Sequence, residues 1–405
     1  MVGPQISFQP FVEVSGVYST GLSGVSVNPQ GKIPNQSGKG VNGTAGISGS
    51  HTWRYTSIGL SFVGGYSHFA GYTSYDTTDV SLLLGFKHHF SRHVALNWNN
   101  TLAVFKRDAG FLSSLSPAVP FDPNQASAPT TDFFNNRTIS GSSNLSLVVQ
   151  RSTRLSMSFG GGFFETNRAA VGLYGVTGET ATGDVQYRMS RRATIGATYS
   201  YSHYGFSHVI SNSDMHGAAG TFAYQLSRWW EFSGFAGVER VETKFVQNVP
   251  VDPAVQAIIG ITESSQIVYS VRYVPNWSGR ISRTFHKGVL YASAGHSVTP
   301  GNGLFLTSEA TMVGGGYTYT GLRRWSFGAN ISYQQAKSIG NVIGDYGGTL
   351  GYLSMSRQLI HSIHLVASFS GRKYNSPNFT GYNQVVYAGT VGLGWTPGDI
   401  PIRIW

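Results

Sequence analysis

The chain has 405 residues, no cysteine, and 28 Lys and Arg against 18 Asp and Glu; only 11% of residues are charged, against roughly 25% in a typical soluble domain. The missing cysteines exclude disulfides, thiolate metal sites and C-x-x-C-H haem attachment. No apolar run reaches about 18 residues, which excludes a transmembrane helix, and the basic residues recur in short turns rather than along a stripe, which argues against a nucleic-acid surface.

What the chain offers instead is alternation. Ile6, Phe8, Val12, Val14 and Tyr18 alternate with Ser7, Gln9, Glu13 and Ser15, the period of two of a strand with one apolar face. A Gly/Ser/Asn/Pro loop from Gly21 to Lys39 and a Gly-rich strand from Val41 to Ser50 follow, then a turn at Trp53-Arg54-Tyr55. Ile58, Leu60, Phe62 and Tyr66 form the next strand. Val80, Leu82, Leu84 and Phe86 return to Ser91-Arg92-His93, and Val94, Leu96, Trp98, Leu102 and Val104 leave it. A proline-rich loop spans Ala109 to Thr131. Leu145, Leu147 and Val149 then lead to Arg151-Ser152-Thr153-Arg154, and Leu155, Met157, Phe159 and Phe163 depart.

The clearest hairpin lies between Ala181 and Tyr204. Val185, Tyr187 and Met189 precede the turn Ser190-Arg191-Arg192. Ala193, Ile195, Ala197, Tyr199 and Tyr201 follow it, opposed by Thr194, Gly196, Thr198, Ser200 and Ser202. The pattern repeats through the turns at Ser227-Arg228, Ser282-Arg283, Arg323-Arg324 and Ser356-Arg357. Val246 to Thr262 reads as a second long insertion, with a short helix expected over Asp252 to Ile259 after an Asp-Pro start. The last strand alternates Val385, Tyr387, Val391, Leu393 and Trp395 with Ala388, Thr390, Gly392 and Gly394.

Eight polar turns recur, five of their seven intervals being 37 or 38 residues, and each of the two longer intervals holds one long loop, on the side opposite the turns. The expected fold is all-β: one closed antiparallel transmembrane barrel over 1–405, of about 18 strands with 16 as the other count. Residues 1–4 and 398–405 form tails. A propeller would bury both faces of its strands, and here one face is Ser, Thr, Gly or Asn. No signal peptide is visible before the first strand, so export implies one already removed.

Short turns on one rim and long loops on the other resemble the bacterial outer-membrane β-barrel superfamily, its porin-like members above all. The resemblance is to a pattern over almost the whole chain. It implies short periplasmic turns, longer extracellular loops, and integral placement in the outer membrane. The partners it implies are outer-membrane lipid, the barrel-assembly machinery and small polar solutes, with a homo-oligomer left open and no nucleic acid. Trp53, Tyr55, Phe90, Trp229, Trp230, Phe285, Trp325 and Trp395 are the expected aromatic girdle on the turn side. Tyr72, Phe105, Tyr201, Tyr204, Tyr319 and Tyr374 are expected toward the loops. Thr390, Gly392 and Trp395 look like the C-terminal assembly signal, with the tail ending at Ile402-Arg403-Ile404-Trp405 as the other candidate.

If the apolar parity meets lipid, the other parity lines a lumen. Its charged members would be Glu13, Asp79, Asp184, Glu231 and Glu239 against Lys87, Arg188, Arg272, Arg280 and Arg372. Such a balanced wall of hydroxyls and amides suits water and small neutral solutes rather than one sign of ion. Loops 109–131 and 246–262 are candidates to fold inward or to stay on the surface. His88, His89 and His93 read as surface residues rather than a metal site. No catalytic residue, metal or cofactor is expected. The expected function is a passive diffusion channel for small hydrophilic solutes; the alternative is a plugged or partnered structural or adhesive barrel acting through its loops.

Overall fold

The computed structural model describes residues 5–20, 37–72, 76–105, 137–169, 173–250, 263–301, 306–339, 345–375, 385–398 and 400–403. These residues form strands joined into one sheet. In chain order they are β1 (Gln5–Ser19), β2 (Gly38–Thr52), β3 (Thr56–Phe69), β4 (Thr77–His89), β5 (Val94–Phe105) and β6 (Thr138–Gln150). Next come β7 (Leu155–Arg168), β8 (Val176–Arg188), β9 (Ala193–Phe206), β10 (Asn212–Gln225), β11 (Trp230–Pro250) and β12 (Glu263–Phe285). The series ends with β13 (Gly288–Thr299), β14 (Ser308–Tyr319), β15 (Trp325–Ser338), β16 (Asp345–Ile360), β17 (Ile363–Asn375), β18 (Val385–Trp395) and β19 (Ile400–Arg403).

Each strand pairs antiparallel with its neighbours in sequence. β18 pairs with β1, from Val12↔Trp395 to Ser19↔Ala388, and closes the barrel. β19 continues the line of β18 along β1, from Phe8↔Ile400 to Gln5↔Arg403. The barrel therefore has eighteen staves, the last in two pieces. Between the pieces Gly398 takes a φ of +90°, where a side chain would be strained. The sequence reading made 398–405 a tail. Residues 400–403 instead cover the edge that Gln5 to Phe8 would otherwise leave unpaired.

The short turns repeat one device. The Ser190 hydroxyl accepts from the N–H groups of Arg192 and Ala193, at 3.1 and 3.0 Å. Ser152 does the same for Arg154 and Leu155, and Ser227 for Trp229 and Trp230. A serine that satisfies the amides of its own turn explains why Ser precedes Arg at these positions.

One expectation fails at β11 and β12. These strands have 21 and 23 residues and stay paired to Pro250↔Glu263, so 246–250 is strand, not loop. The extra spacing between turns there comes mostly from these long strands. β13 pairs with β12 only from Phe285↔Gly288 to Trp277↔His296, so β12 outruns it. The 109–131 loop and the expected helix at 252–259 lie outside the described residues.

Candidate functional site

Directly paired residues of an antiparallel sheet share a face, so the register sorts every strand into two sets. One set carries the exposed apolar side chains, such as Val14 (54%), Phe159 (54%), Val391 (62%) and Leu393 (52%). The other set is the interior. It holds Ser213 on β10, whose hydroxyl lies 2.5 Å from that of Thr307, just before β14. Only across a concave interior can such distant staves touch.

On β7 the outer set runs Leu155, Met157, Phe159, Gly161, Phe163 and then turns polar at exposed Glu165. Nine tilted strand residues span about 20 Å, close to the apolar band of about 25 Å seen in membrane barrels. Each such side chain left in water would expose surface worth about 1.5–3 kcal/mol of burial, so the belt as a whole requires a nonpolar surrounding.

Above that band the polarity inverts on β9 to β12. The outer set becomes polar. His203 lies 2.7 Å and the Tyr201 hydroxyl 3.0 Å from Asp214, His216 lies 2.8 Å from the Tyr199 hydroxyl, and Arg240 pairs with Glu242. The inner set becomes apolar: Tyr204, Phe206, Met215, Val241 and Val274 are buried. What covers them is the β13–β14 connection. Val298, Leu306 and Ile339 join Phe164, Val176 and these residues in one cluster. Pro300, Thr307 and Ser308 are buried with them. The Val298 N–H donates to the Glu239 carboxylate across the inner face of β12, and the Ser213–Thr307 bond fastens the tip. Among the described residues, what narrows the barrel is thus 298–301 together with 306–308, which the sequence reading did not single out. The signal was present: Tyr204 and Phe206 leave the parity of Tyr199 and Tyr201, and Met215 sits between Asp214 and His216.

A cavity of about 960 Å³ lies along β1 to β8. Its inward side chains include Gln9, Ser48, Ser61, Leu83, Asn99, Thr101, Ser142, Asn144, Thr180 and Thr182, and no lining residue is ionisable. Leu83 is an apolar residue on the wet face, between Ser61 and Thr101 in the register.

All ten charged positions of the sequence reading fall on the interior set, none in the lining of that cavity. They are dispersed. Asp184 is buried and accepts from Ser158 at 2.8 Å, and Glu239 is buried under Val298. Arg280 lies 4.8 Å over the Tyr291 ring. Lys87, Arg188, Glu231 and Arg272 are exposed, while Glu13, Asp79 and Arg372 are half-buried.

The aromatic positions gather at the turn rim. Trp230, Phe285, Trp325 and Trp395 belong to the outer set, and Trp53, Tyr55, Phe90 and Trp229 stand in the turns. Tyr319, expected toward the loops, is also here, stacked at 6.3 Å on Tyr317, because β14 runs down to the turns. Tyr204, also expected among the loop-side aromatics, faces inward and is buried. Thr390 is buried inward and shares a 2.7 Å bond with Ser368. Gly392 sits so close to β1 that a Cβ there would come within 2.3 Å of the Val14 carbonyl oxygen. Trp395 points outward, beside Val12 and Ile363. His88 bonds to Thr56 at 2.7 Å and packs edge-on to Phe90; among the described residues no three His, Asp or Glu converge.

At the loop rim Asp76 clips the β3–β4 connection. It lies 2.9 Å from His68 Nδ1 and accepts the Phe69 N–H at 3.0 Å. The hydrogen bond from His68, then that from Phe69, holds its carboxyl below the usual carboxylate range. A depressed acid stabilises above its unfolded pKa, and that contribution is lost as pH falls through the folded value. Amide exchange at Phe69 is therefore expected to accelerate only once pH drops below the ordinary carboxylate range; acceleration already between neutrality and that range would contradict the clip.

No family model matches the chain, and no curated protein is similar to it in sequence. Among solved structures it is similar to OccK2 (OpdF) of Pseudomonas aeruginosa, with 9% identity, 98% of each chain covered and a TM-score of 0.45. OpdQ of the same organism gives 8%, 98% of each chain and 0.47. The ferric-catecholate import receptor Fiu of E. coli K12 gives 9%, 96% of this chain, 81% of that one and 0.45. Likenesses this remote add nothing to what the wall itself shows. A closed antiparallel barrel with an apolar outer belt, an aromatic rim and a wet interior is the architecture of a transmembrane β-barrel.

Proposed function

We propose that the chain is an outer-membrane, porin-like channel through which small, uncharged hydrophilic solutes diffuse passively. One observation carries the reading: the cavity along β1 to β8 is walled mainly by hydroxyls, amides and backbone, with Leu83 and Phe164 among them, and has no ionisable side chain in its lining. Such a wall offers many weak, exchangeable hydrogen bonds and no strong site, which suits entry and release alike. The short turns then face the periplasm and the longer loops the exterior. Swelling of liposomes that contain the purified barrel is the direct test. Neutral sugars should permeate with a size limit, and charged solutes of equal size should lag. A folded, inserted protein that neither swells liposomes nor conducts would end the proposal.

The second reading, a plugged barrel acting through its loops, is favoured by the burial of Val298, Pro300, Leu306 and Thr307 against the inner wall. Combining Ser213→Ala with Thr307→Val removes the bond that fastens Thr307 there. Larger single-channel conductance in that variant is expected if the tip only narrows the pore. Zero conductance in both proteins would favour the plugged barrel.

A further inference from the structure

The charge of the turn rim is unused by the channel. The turns 53–55, 90–93, 151–154, 189–192, 226–229, 286–287, 320–324 and 361–362 contain ten Lys and Arg and not one Asp or Glu. The other eighteen Lys and Arg equal the eighteen Asp and Glu in number, so the whole formal excess of +10 sits on this rim. Solubility does not ask for that arrangement, since charge of one sign at one level repels itself.

Two of these ten cations, and two arginines on the adjoining strand ends, are also held against aromatic rings. The Arg54 guanidinium lies 5.0 Å over Tyr55 and that of Arg228 5.1 Å over Trp229. Arg283 lies between Trp230 at 5.1 Å and Phe285 at 4.6 Å, and Arg357 lies 4.9 Å over Trp325. Among the described residues none of these four arginines is paired with a carboxylate. Arg283 and Arg357 are paired across the strands with Trp230 and Trp325, so both belong to the outer face, at the edge of the apolar belt. Stacking occupies the flat of a guanidinium and leaves its N–H edge open, the edge that binds phosphate oxygens in a bidentate manner. A ring at the boundary of the belt fixes that edge at headgroup depth.

We propose that the turn rim binds anionic phospholipid headgroups of the adjoining leaflet in preference to zwitterionic ones, with Arg54, Arg228, Arg283 and Arg357 as the phosphate contacts. The proposal rests on the membrane-barrel reading. Basic residues near an anionic surface each favour it by about fivefold, and the outward stacks direct that attraction to lipid rather than to a soluble polyanion.

The test uses the full chain in phosphatidylcholine vesicles. These are doped with brominated phosphatidylglycerol or, in parallel, with the same mole fraction of brominated phosphatidylcholine, and Trp fluorescence is read from the rim. The anionic quencher should act at least about twofold more strongly. That ratio should fall toward one in Arg283→Gln/Arg357→Gln, and at salt high enough to cut the screening length to about 3 Å. Should that variant fail to fold, Arg54→Gln/Arg228→Gln, placed in turns, serves in its stead. A ratio of one in the native chain, or a ratio untouched by the substitutions, overturns the proposal. Inorganic phosphate added outside the vesicles should leave the ratio intact; abolition by phosphate would mean a site read from solution and would overturn it too. Failure to insert would defeat the membrane reading itself, whereas insertion without preference defeats only the lipid claim.

Discussion

Arginine in place of Phe159 is expected to cost the barrel about 2–4 kcal/mol of stability in lipid. Phe159 is 54% exposed on the outer set and sits midway between Leu155 and Phe163, at the centre of the β7 belt. A guanidinium there must be desolvated in hydrocarbon or drag water and headgroups toward the midplane. Reversible unfolding from vesicles, followed by Trp fluorescence, measures the loss. The control is Ser142→Arg on β6, one stave away and facing the wet cavity. It should unfold at nearly the native denaturant concentration. Reversed results, with Ser142→Arg damaging and Phe159→Arg harmless, would mean that the faces had been assigned the wrong way round.

The second large effect concerns selectivity. Asn99 and Asn144 are directly paired and both line the cavity. Replacing both by Asp puts two carboxylates on a wall that now has no charge. At about 10 Å in water a unit charge interacts with a passing ion by about 0.4 kcal/mol, close to twofold in relative occupancy. Two charges should raise cation occupancy about fourfold and lower anion occupancy about fourfold, so the cation-to-anion permeability ratio should rise about sixteenfold, read as a shifted reversal potential in a salt gradient. The same exchange screens away at high salt. A reversal potential identical to that of the native chain would show that ions do not pass along β1 to β8.

Much of the fold was legible because a membrane barrel stave is specified locally. Each strand needs alternate apolar residues against lipid, and each short turn needs a compact polar link, supplied in several by a serine. Val185, Tyr187, Ile195 and Tyr199 announce their face without reference to any other stave. The wet wall was legible for the same reason, as the complement of that parity. The aromatic rim was readable where Trp and Arg adjoin a turn, as at Trp229 and Trp325. Tyr319 was misplaced because its residue type suits either rim and only the direction of β14 decides.

The interior constriction was harder to read. Its cause is contact between staves far apart in sequence, as between Ser213 and Thr307, and no period of two records such contacts. A buried apolar side chain on the lumen side, such as Met215 or Val241, looks in the sequence like a lapse of the pattern. It becomes intelligible once Val298 and Leu306 are seen to cover it. Likewise Val246-Gln247-Asn248-Val249-Pro250 has no alternation that would mark it as strand, and only pairing with β12 shows that it is one.

Sequence alone therefore determined the staves, the turn rim and which side of each ribbon is greasy, since lipid imposes its demand residue by residue along a strand. Tertiary structure alone decided between eighteen staves and sixteen, that Val298, Leu306 and Thr307 pack against the inner wall, that a cavity lies along β1 to β8, and that β19 completes the closing seam. Those outcomes depend on which distant surfaces can exclude water from one another, and that follows from the closed wall as a whole.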